Sequence, residues 1–494
     1  MIYIFGISIN ILNMSLQIFD SLEKRKKEFI PLIKNNVSIY SCGLTPNKTP
    51  HIGHAIAAIR SNIIRNYLTY LGFKVTYCQN ITDVDDKIII EAKKNDCHPN
   101  DIVSKNLKVY EMSLESLDIK IPDESPKVSK YIDNIILYIK ELIKSNYAYT
   151  TNKGDVYFSV ARYKDYGKLN KMNLDDLMEG VRVSLENLKE HSADFALWKR
   201  DHFPGASWDS PWGIGRPGWH IECSVMANAI FGPSIDIHCG GRDLKFPHHE
   251  NEIAQCEAHN NGTKFANNWC HFGLMRMDGE KMSKSIGNIV SIDEAVDSVS
   301  SELLIYSLMT VHYRSDINWG EKLFLENTNK ILDYYRTFEK INSKEHSDED
   351  FSSNYQSVKN LELEFEEAMN NDFSTHSALV IFMEYFREIK SLLMKTEFSE
   401  ASQLSRKLIT LGEVLGIFQK NLKEVEQGVY NYVASLNKLD VSFSDFKMEL
   451  EQRPILRQNK KFEELDDMRT LFEAKNILIN DDSPYQSSWS VKVI

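Results

Sequence analysis

The sequence of 494 residues lacks the features of a secreted or membrane-spanning protein. Its 7 cysteines are an odd number without a Cys-x-x-Cys pair, which argues against a disulfide framework and for a reducing compartment. The longest apolar run, residues 1–12, contains Gly6 and Asn10 and is too short to cross a bilayer. It also lacks the cationic start and the cleavage site of a signal peptide. We therefore expect a cytoplasmic protein that does not bind membranes, and we expect residues 1–13 to be dispensable.

Basic residues are also in the minority. Lys and Arg number 58 against 70 Asp and Glu, a net charge of −12, so a uniformly basic surface for nucleic acid is excluded but a local basic patch is not. Apolar residues make up 42% of the chain and aromatic residues 11%, which is enough to fill several hydrophobic cores. The length predicts roughly three globular domains.

The spacing of apolar residues predicts a βαβ unit near the start of the chain. Residues 37–42 and 73–81 have the pattern of buried strands. Between them, residues 52–71 have the pattern of an amphipathic helix that begins after Pro50 and ends before Gly72. A βαβ unit implies a parallel sheet with a ligand at the carboxyl ends of its strands.

Further along, the composition changes twice. Residues 126–190 are polar with a helical pattern, which predicts a helical insertion, and aromatic, Gly- and Pro-rich sequence returns at residues 198–219. The chain therefore predicts an α/β protein with a Rossmann-like parallel-sheet domain split by an insertion, an α-helical bundle and a small mixed C-terminal domain. The helices expected in the bundle are 326–342, 358–370, 377–395 and 399–418.

Two short motifs suggest nucleotide chemistry. His51-Ile52-Gly53-His54 starts the predicted helix, where backbone N–H groups and two imidazoles favour an anion. Lys281-Met282-Ser283-Lys284-Ser285 carries two ammonium groups and two hydroxyls. Taken singly, the first motif is more often a polar helix cap and the second a solvated basic loop. Together they resemble the class I aminoacyl-tRNA synthetases, in which this pair of motifs binds ATP.

A second group of residues offers ligands for a metal. Cys42 ends the first predicted strand, Cys223 lies far downstream, and His248 and Glu252 are four residues apart, on one face of a helix. Two thiolates, an imidazole and a carboxylate form a tetrahedral zinc set. The remaining cysteines are better explained as small buried apolar residues: Cys78, Cys97, Cys239, Cys256 and Cys270.

The sequence around these residues is similar to that of the cysteinyl-tRNA synthetases from about Leu16 to the C-terminus. The similar segments are Cys42-Gly43-Leu44-Thr45 and residues 80–87, 194–199, 207–212 and 246–252. The chain departs from the family at Pro46-Asn47-Lys48-Thr49-Pro50, where the family has a Val-Tyr-Asp-like segment. It also has Cys239 and Arg242 where the family usually has small residues.

The resemblance implies that cysteine and ATP form cysteinyl-adenylate and pyrophosphate, and that cysteine is then transferred to the 3′ end of its tRNA. It implies one zinc ion per chain on Cys42, Cys223, His248 and Glu252, which binds the substrate thiolate, and Mg²⁺ with the ATP. It assigns further roles to other residues: catalysis to His51, His54, Lys281 and Lys284, ATP binding to Gly53, Asp243 and Lys284, and the amino-acid pocket to Thr82, Trp219 and His238. For Trp219, a position in a hydrophobic core is an almost equal alternative. We expect a monomer.

The resemblance also suggests how the chain divides. The expected parts are an N-terminal extension (1–15), the first half of the catalytic domain (16–125), a connecting insertion (126–190), the second catalytic half (191–265), a stem-contact region (266–325), a helical bundle (326–425) and an anticodon-binding domain (426–494). In the last part we expect a basic and aromatic RNA-binding surface, although a solvated helix face is an alternative: Arg453, Arg457, Lys460, Lys461, Arg469 and Trp489.

Two other functions fit part of the sequence. A related ligase joins cysteine to a sugar amine in mycothiol synthesis and shares the zinc set and both ATP motifs. It ends soon after the catalytic part, whereas about 170 residues follow Trp319 here. A non-catalytic zinc and RNA-binding protein is the other alternative. Loss of a histidine or lysine from the ATP motifs would support it, and none is lost.

Overall fold

The structure is a computed structural model that describes residues 15–171, 189–277, 280–281, 290–343 and 355–493. Residues 1–13 and Lys284 lie outside the described residues. The strands are β1 (Gln17–Asp20), β2 (Arg25–Glu28), β3 (Asn36–Ser41), β4 (Lys74–Gln79), β5 (Ala148–Thr150), β6 (Val156–Phe158), β7 (Phe195–Arg200), β8 (Gly215–Pro217), β9 (Ile235–Gly241), β10 (Ala266–Phe272), β11 (Met275–Met277), β12 (Glu280–Lys281), β13 (Ile317–Trp319), β14 (Ile477–Ser483) and β15 (Gln486–Val491).

The α-helices of the described residues alternate with these strands in the first part of the chain and dominate the second. They are α1 (Ile52–Tyr70), α2 (Asp86–Lys94), α3 (Pro99–Ser116), α4 (Ile132–Lys144), α5 (Trp219–Phe231), α6 (Glu250–His259), α7 (Ile292–Val299), α8 (Ser301–Met309), α9 (Glu321–Asn342), α10 (Gln356–Asn370), α11 (Thr375–Met394), α12 (Phe398–Leu415), α13 (Leu422–Leu436), α14 (Phe443–Gln458) and α15 (Phe462–Glu473). None of them is both long and apolar enough to span a membrane.

A four-stranded parallel sheet of order β10-β9-β3-β4 is the centre of the α/β part. The predicted βαβ unit is confirmed as β3-α1-β4, because Ile39 of β3 pairs with Tyr77 of β4 in a parallel register. Gly72 has φ +88, a conformation that glycine adopts without strain, and it ends the turn after α1. The apolar face of α1 is buried against the core, which includes Ile56, Ile59 and Ile63.

The insertion is only partly helical, so the prediction of a helical segment over 126–190 is wrong in part. Within its described residues, α4 is followed by the short strands β5 and β6, which join β7 and β8 in an antiparallel sheet. Phe158 and Trp198 are buried there on a core of their own. Three-residue strands are too short to produce a recognisable periodicity, so only their pairing fixes them: β6 pairs with β7, and β5 pairs with β6.

The four predicted helices of the second half are confirmed as α9, α10, α11 and α12. Their core is rich in aromatic rings, and the Phe338 and Phe418 ring centroids lie 5.2 Å apart. Beyond them, α13, α14 and α15 and the antiparallel hairpin β14-β15 form the C-terminal part. The helical core and the parallel sheet share one continuous set of buried apolar residues.

The buried carboxylate of Asp372 ties three parts of the chain together at the start of α11. Its Oδ1 accepts hydrogen bonds from the Phe19 N–H at 2.9 Å and the Tyr313 hydroxyl at 2.7 Å. Its Oδ2 accepts one from Arg314 Nε at 2.8 Å. The N-terminal hairpin, the segment after α8 and the helical bundle therefore meet at one side chain.

Candidate active site

A cavity of about 730 Å³ opens at the carboxyl ends of the parallel strands. Its lining includes the first residues after β3, the end of β9 and the first turn of α1. This is the position at which an open parallel sheet binds its ligand. The structure thus brings five of the predicted site residues to one cavity: Cys42, His51, Gly53, His54 and Asp243.

The two histidines of the first motif hold each other at the start of α1. The His51 backbone N–H donates to Nδ1 of His54 at 3.1 Å, and the two rings stack with their centroids 3.9 Å apart. Because Nδ1 of His54 accepts this bond, a neutral His54 carries its ring proton on Nε2 and can donate it. A donor at a helix N-terminus suits a phosphate oxygen.

The described residues that precede and follow the second motif lie beside the first. At its first residue, Lys281 in β12 pairs with Arg276 in β11, whose neighbour Met275 lines the cavity. After it, the Val290 carbonyl accepts from the Ile52 N–H at 3.0 Å. The segment therefore leaves and rejoins the described structure next to the His51 motif. The side chain of Lys281 and all of Lys284 lie outside the described residues.

The four predicted metal ligands converge at the base of this region. The donor atoms of Cys42, Cys223, His248 and Glu252 all lie within 4.8 Å of one another. Nε2 of His248 is 2.8 Å from Oε1 of Glu252, and Sγ of Cys42 is 3.5 Å from the same oxygen. Cys42 follows β3, Cys223 is on α5, and the other two come from the turn before α6 and from α6 itself.

The electrostatics of this cluster suit a bound cation. A hydrogen bond from Cys42 and the neighbouring His248 lower the pKa of the Cys223 thiol to about 6, although burial opposes the shift. Burial pulls the pKa of His248 down, but the charges of Glu252 and Cys223 outweigh it and raise that pKa to about 10. Without a metal, the His248 imidazole therefore favours its protonated form, whose positive charge offsets the Glu252 carboxylate and the Cys223 thiolate. A divalent cation would replace that proton.

Three further histidines around the cluster were not predicted from the sequence: His249, His271 and His220, whose Nδ1 lies 2.9 Å from Nδ1 of His248. Sγ of Cys42 is 3.3 Å from Nε2 of His249, and Nδ1 of His249 is 2.8 Å from Nε2 of His271. Cys42, His238, His249 and Glu252 form a second set of possible ligands. The repeated histidines of 248–249 are the only sequence signal for His249, and β10 shows none for His271.

His238 is buried and holds Glu252. Its Nε2 lies 2.6 Å from Oε2 of Glu252, and its ring stacks on Trp269 with the centroids 4.6 Å apart. The structure therefore places His238 behind the ligand carboxylate and not among the residues that line the cavity.

Thr82 and Trp219, the other predicted pocket residues, flank the ligand cluster. Oγ1 of Thr82 accepts from Nδ2 of Asn80 at 3.2 Å, and Oδ1 of Asn80 accepts from the Gly43 N–H at 2.8 Å and lies 3.7 Å from Sγ of Cys223. The ring centroid of Trp219 is 4.5 Å from that of His248, and Trp219 is 41% exposed. That exposure excludes the alternative of a core tryptophan.

The two single-residue departures from the family pattern have simple structural explanations. The Arg242 guanidinium lies 3.2 Å from the Asp316 carboxylate and donates to the Arg314 carbonyl. Its charge is therefore balanced by Asp316. Cys239 is buried in β9 next to Cys270 of β10.

Part of the expected RNA-binding surface is buried, so the prediction is wrong for Arg453 and Trp489. Each is 1% exposed. The Arg453 guanidinium donates to the Leu465 carbonyl at 2.9 Å and binds Asp481, and Trp489 packs against Phe446 with ring centroids 5.7 Å apart. The β14-β15 hairpin folds back on α14, and these two large side chains fill the space between them.

Comparison with known proteins agrees with this geometry. The family described as tRNA synthetases class I (C) catalytic domain matches residues 28–329, and a DALR domain matches residues 364–419. A cysteine–tRNA ligase of Hahella chejuensis is 38% identical over 96% of this chain and 99% of its own length. A cysteine–tRNA ligase of Coxiella burnetii gives the same identity and coverage.

Solved structures show the same fold at low sequence identity. A methionyl-tRNA synthetase of Mycobacterium tuberculosis in complex with methionyl-adenylate is 15% identical, with a TM-score of 0.56 over 85% of this chain and 95% of that one. A structure described as a putative arginyl-tRNA synthetase of Campylobacter jejuni has a TM-score of 0.53 over 78% of this chain and 94% of that one.

Proposed function

The chain belongs to the cysteine–tRNA ligase family of the class I aminoacyl-tRNA synthetases, and we propose that it activates L-cysteine with ATP and transfers it to the 3′ end of a tRNA. One observation carries the proposal: the ligand cluster that would select cysteine adjoins the cavity that begins with the His51 motif. Relatives match 96% of the chain, including the long part after Trp319 that the sugar-amine ligases lack, so that alternative is not favoured.

We infer that the metal is a single zinc ion held by Cys42, Cys223, His248 and Glu252. Two sulfur donors, one imidazole and one carboxylate in a buried cluster match the preferences of zinc. When bound, zinc supplies a soft Lewis acid for the substrate thiolate, and a serine hydroxyl is a poor ligand for it. His238 then acts as a positioning residue, because its bond to Oε2 of Glu252 fixes the orientation of that carboxylate.

The other residues of the cavity are assigned to ATP. We assign His51 and His54 to hydrogen bonds with the phosphate oxygens, on which charge builds as the cysteine carboxylate attacks the α-phosphorus. Lys281 and Lys284 would add positive charge to the same transition state, with Mg²⁺ bound to the leaving pyrophosphate. Gly53 has no side chain to keep the adenine from the helix, and Asp243 would accept hydrogen bonds from the ribose hydroxyls.

The remaining assignments concern the amino-acid pocket and the whole chain. Trp219 and Thr82 would form walls of the pocket, because both flank the ligand cluster. We propose a monomer that works in the cytoplasm with L-cysteine, ATP and the tRNA for cysteine. We also retain the division at residues 15, 125, 190, 265 and 325 as a proposal, whereas the predicted boundary at 425 falls inside α13.

The proposal is tested by exchange between ATP and radiolabelled pyrophosphate. With full-length protein and Mg²⁺, exchange should require cysteine and should be undetectable with serine. The expected discrimination is about 10⁴ or more, as for sites built around one polar group of the substrate. Equal rates with the two amino acids would contradict selection through a metal–thiolate bond. Cysteine-dependent coupling to an amino sugar, without charging of tRNA, would contradict the function itself.

A further inference from the structure

One wall of the active-site cavity carries three lysines to which none of the above roles applies. Lys48 belongs to the loop before α1, and Lys87 and Lys94 lie in the first and last turns of α2. All three line the cavity, together with Ile90 and Glu91 of the same helix. We call Lys48, Lys87 and Lys94 the lysine wall.

The lysine wall keeps a net positive charge. The carboxylate of Glu91 lies 4.0 Å from the ammonium groups of both Lys48 and Lys94, so one negative charge is shared by two positive ones. Within the part of the chain that the structure describes, no carboxylate lies within 4.0 Å of the Lys87 ammonium. Lys48 and Lys94 are 49% and 64% exposed in their side chains, so both can reach a ligand.

The acidic residues at the start of α2 do not cancel this charge. The carboxylate of Asp86 binds Arg216 and lies 3.3 Å from the Lys199 ammonium. Both partners belong to the antiparallel sheet β5-β6-β7-β8, Lys199 on β7 and Arg216 on β8. The carboxylate of Asp85 caps the helix by accepting from the Lys87 backbone N–H at 2.7 Å. Asp85 and Asp86 therefore hold α2 in position, and neither carboxylate neutralises the lysines of α2 that line the cavity.

The loop that carries Lys48 is also held in place. Nδ2 of the buried Asn106, on α3, donates to the Pro46 carbonyl at 3.0 Å. Pro46 and Pro50 further restrict the backbone on either side of Lys48. This is the segment in which the chain departs from the Val-Tyr-Asp-like family pattern. It presents an ammonium group three residues before His51.

We propose that the lysine wall binds phosphates of the single-stranded 3′ end of the tRNA during transfer of the amino acid. The inference rests on the proposed function, because only the second step requires a nucleic-acid strand to enter this cavity. A protein of net charge −12 repels RNA at long range, so the entry of its 3′ end needs local positive charge at the cavity. Ile90, which is 51% exposed, adds an apolar surface suited to a ribose or base.

The same cations would also attract the triphosphate of ATP, and the experiment must separate the two ligands. The test variant is the full chain with Lys48→Gln, Lys87→Gln and Lys94→Gln. The control is Lys93→Gln, Lys105→Gln and Lys108→Gln, which removes the same charge from α2 and α3 at positions that do not line the cavity. Both proteins are assayed for cysteine-dependent pyrophosphate exchange and, after preloading with adenylate, for single-turnover transfer to tRNA.

If the proposal is right, the test variant loses about tenfold or more in transfer relative to its exchange rate, and the control keeps the wild-type ratio. For the test variant, the slope of log KM for tRNA against log salt concentration should also fall by about 2. Each phosphate contact of a single strand contributes about 0.7 to this slope, and three lysines are removed. A normal transfer rate overturns the inference. The inference is also overturned if the test variant loses pyrophosphate exchange to the same extent as transfer because its KM for ATP is raised. Wild-type protein without cysteine-dependent exchange would overturn the proposed function, and the inference with it.

Discussion

Cys223 is the residue whose replacement tests the metal cluster most directly. A serine hydroxyl cannot replace the thiolate, so Cys223→Ser should lose zinc. The rate of cysteine activation should fall by more than about 10², beyond the cost of losing a group that only orients a ligand. Metal content by plasma emission spectroscopy and pyrophosphate exchange measure the two effects.

Cys97→Ser is the matched control for that experiment, because Cys97 is a free, half-buried thiol that belongs to neither possible ligand set. It should keep one zinc per chain and normal exchange. Full zinc occupancy in a protein that lacks the thiols of both Cys42 and Cys223 would show that the metal is held elsewhere.

At the scale of single residues, the sequence was most informative where chemistry restricts the choice of side chain. Cys42, Cys223, His248 and Glu252 were predicted as one group, and the fold brings their donor atoms together. His249 and His271 were missed, because their contact depends on how the turn before α6 faces β10 and on no fixed spacing in the chain. The wrong prediction for Arg453 and Trp489 has the same cause. Their burial depends on how the β14-β15 hairpin folds onto α14, and the spacing of residues in the chain does not determine which face of that helix is covered.

At the scale of elements, a buried glutamate links α8 to the end of α12. The carboxylate of Glu302 accepts from the Phe418 N–H at 2.7 Å. Burial raises its pKa from 4.5 to about 7, and this hydrogen bond opposes the shift only in part. Because the folded-state pKa is the higher one, the protonated form stabilises the fold at low pH. That contribution should be lost as the pH rises from 4.5 to 7 and should be constant above 7.

Glu302→Gln keeps the acceptor oxygen and removes the titration. The variant should therefore gain melting temperature relative to the wild type as the pH rises from 5 to 7.5. Differential scanning calorimetry at several pH values measures this difference, and Glu424→Gln serves as a control, because Glu424 is exposed in the first turn of α13. A constant difference across this range would mean that Glu302 is already ionised at pH 5.

Replacement of Asp372 tests a second contact between elements, because several parts of the chain donate hydrogen bonds to its carboxylate. Asp372→Ala leaves the Tyr313 hydroxyl and the Arg314 guanidinium without their partner. We expect a loss of about 3–5 kcal/mol in the free energy of unfolding, the range typical of breaking a buried charged pair by removing one partner. Urea denaturation measures the loss. Asp482→Ala, at an exposed position of β14, should be nearly neutral, and equal effects of the two changes would contradict the role of Asp372 as a junction.

The accuracy of the element predictions depended on length. The predicted helix over 52–71 and the four bundle helices agree with the structure within a few residues, because a long amphipathic period is fixed by the sequence alone. The small antiparallel sheet of the insertion was not predicted. Its strands β5 and β6 have three residues each, and they are strands only because β6 pairs with β7 and β5 pairs with β6.

At the scale of the whole molecule, the active-site cavity and the proposed anticodon-binding part are separated along the chain. Every described residue that lines the active-site cavity lies between Ser41 and Met275. The C-terminal part contacts the bundle instead, and α13 is an integral part of the bundle core through Val429 and Val433. A truncation that respects this packing ends after Lys438, beyond the last turn of α13, and not at the predicted boundary of 426, which lies inside that helix.

A chain that ends at Lys438 should retain cysteine-dependent pyrophosphate exchange, because the adenylate cavity is complete without α14, α15 and the final hairpin. Charging of tRNA should fall by about 10² or more, since the unpaired bases that the C-terminal part would read lose their contacts. Thermal melting is the control, because the truncation exposes Tyr430, which packs on Phe446 with ring centroids 4.7 Å apart. If the truncated chain melts near the wild type and still charges tRNA normally, the anticodon is read elsewhere. Loss of exchange from a chain that remains folded would instead mean that the C-terminal part supports the adenylate site through the bundle.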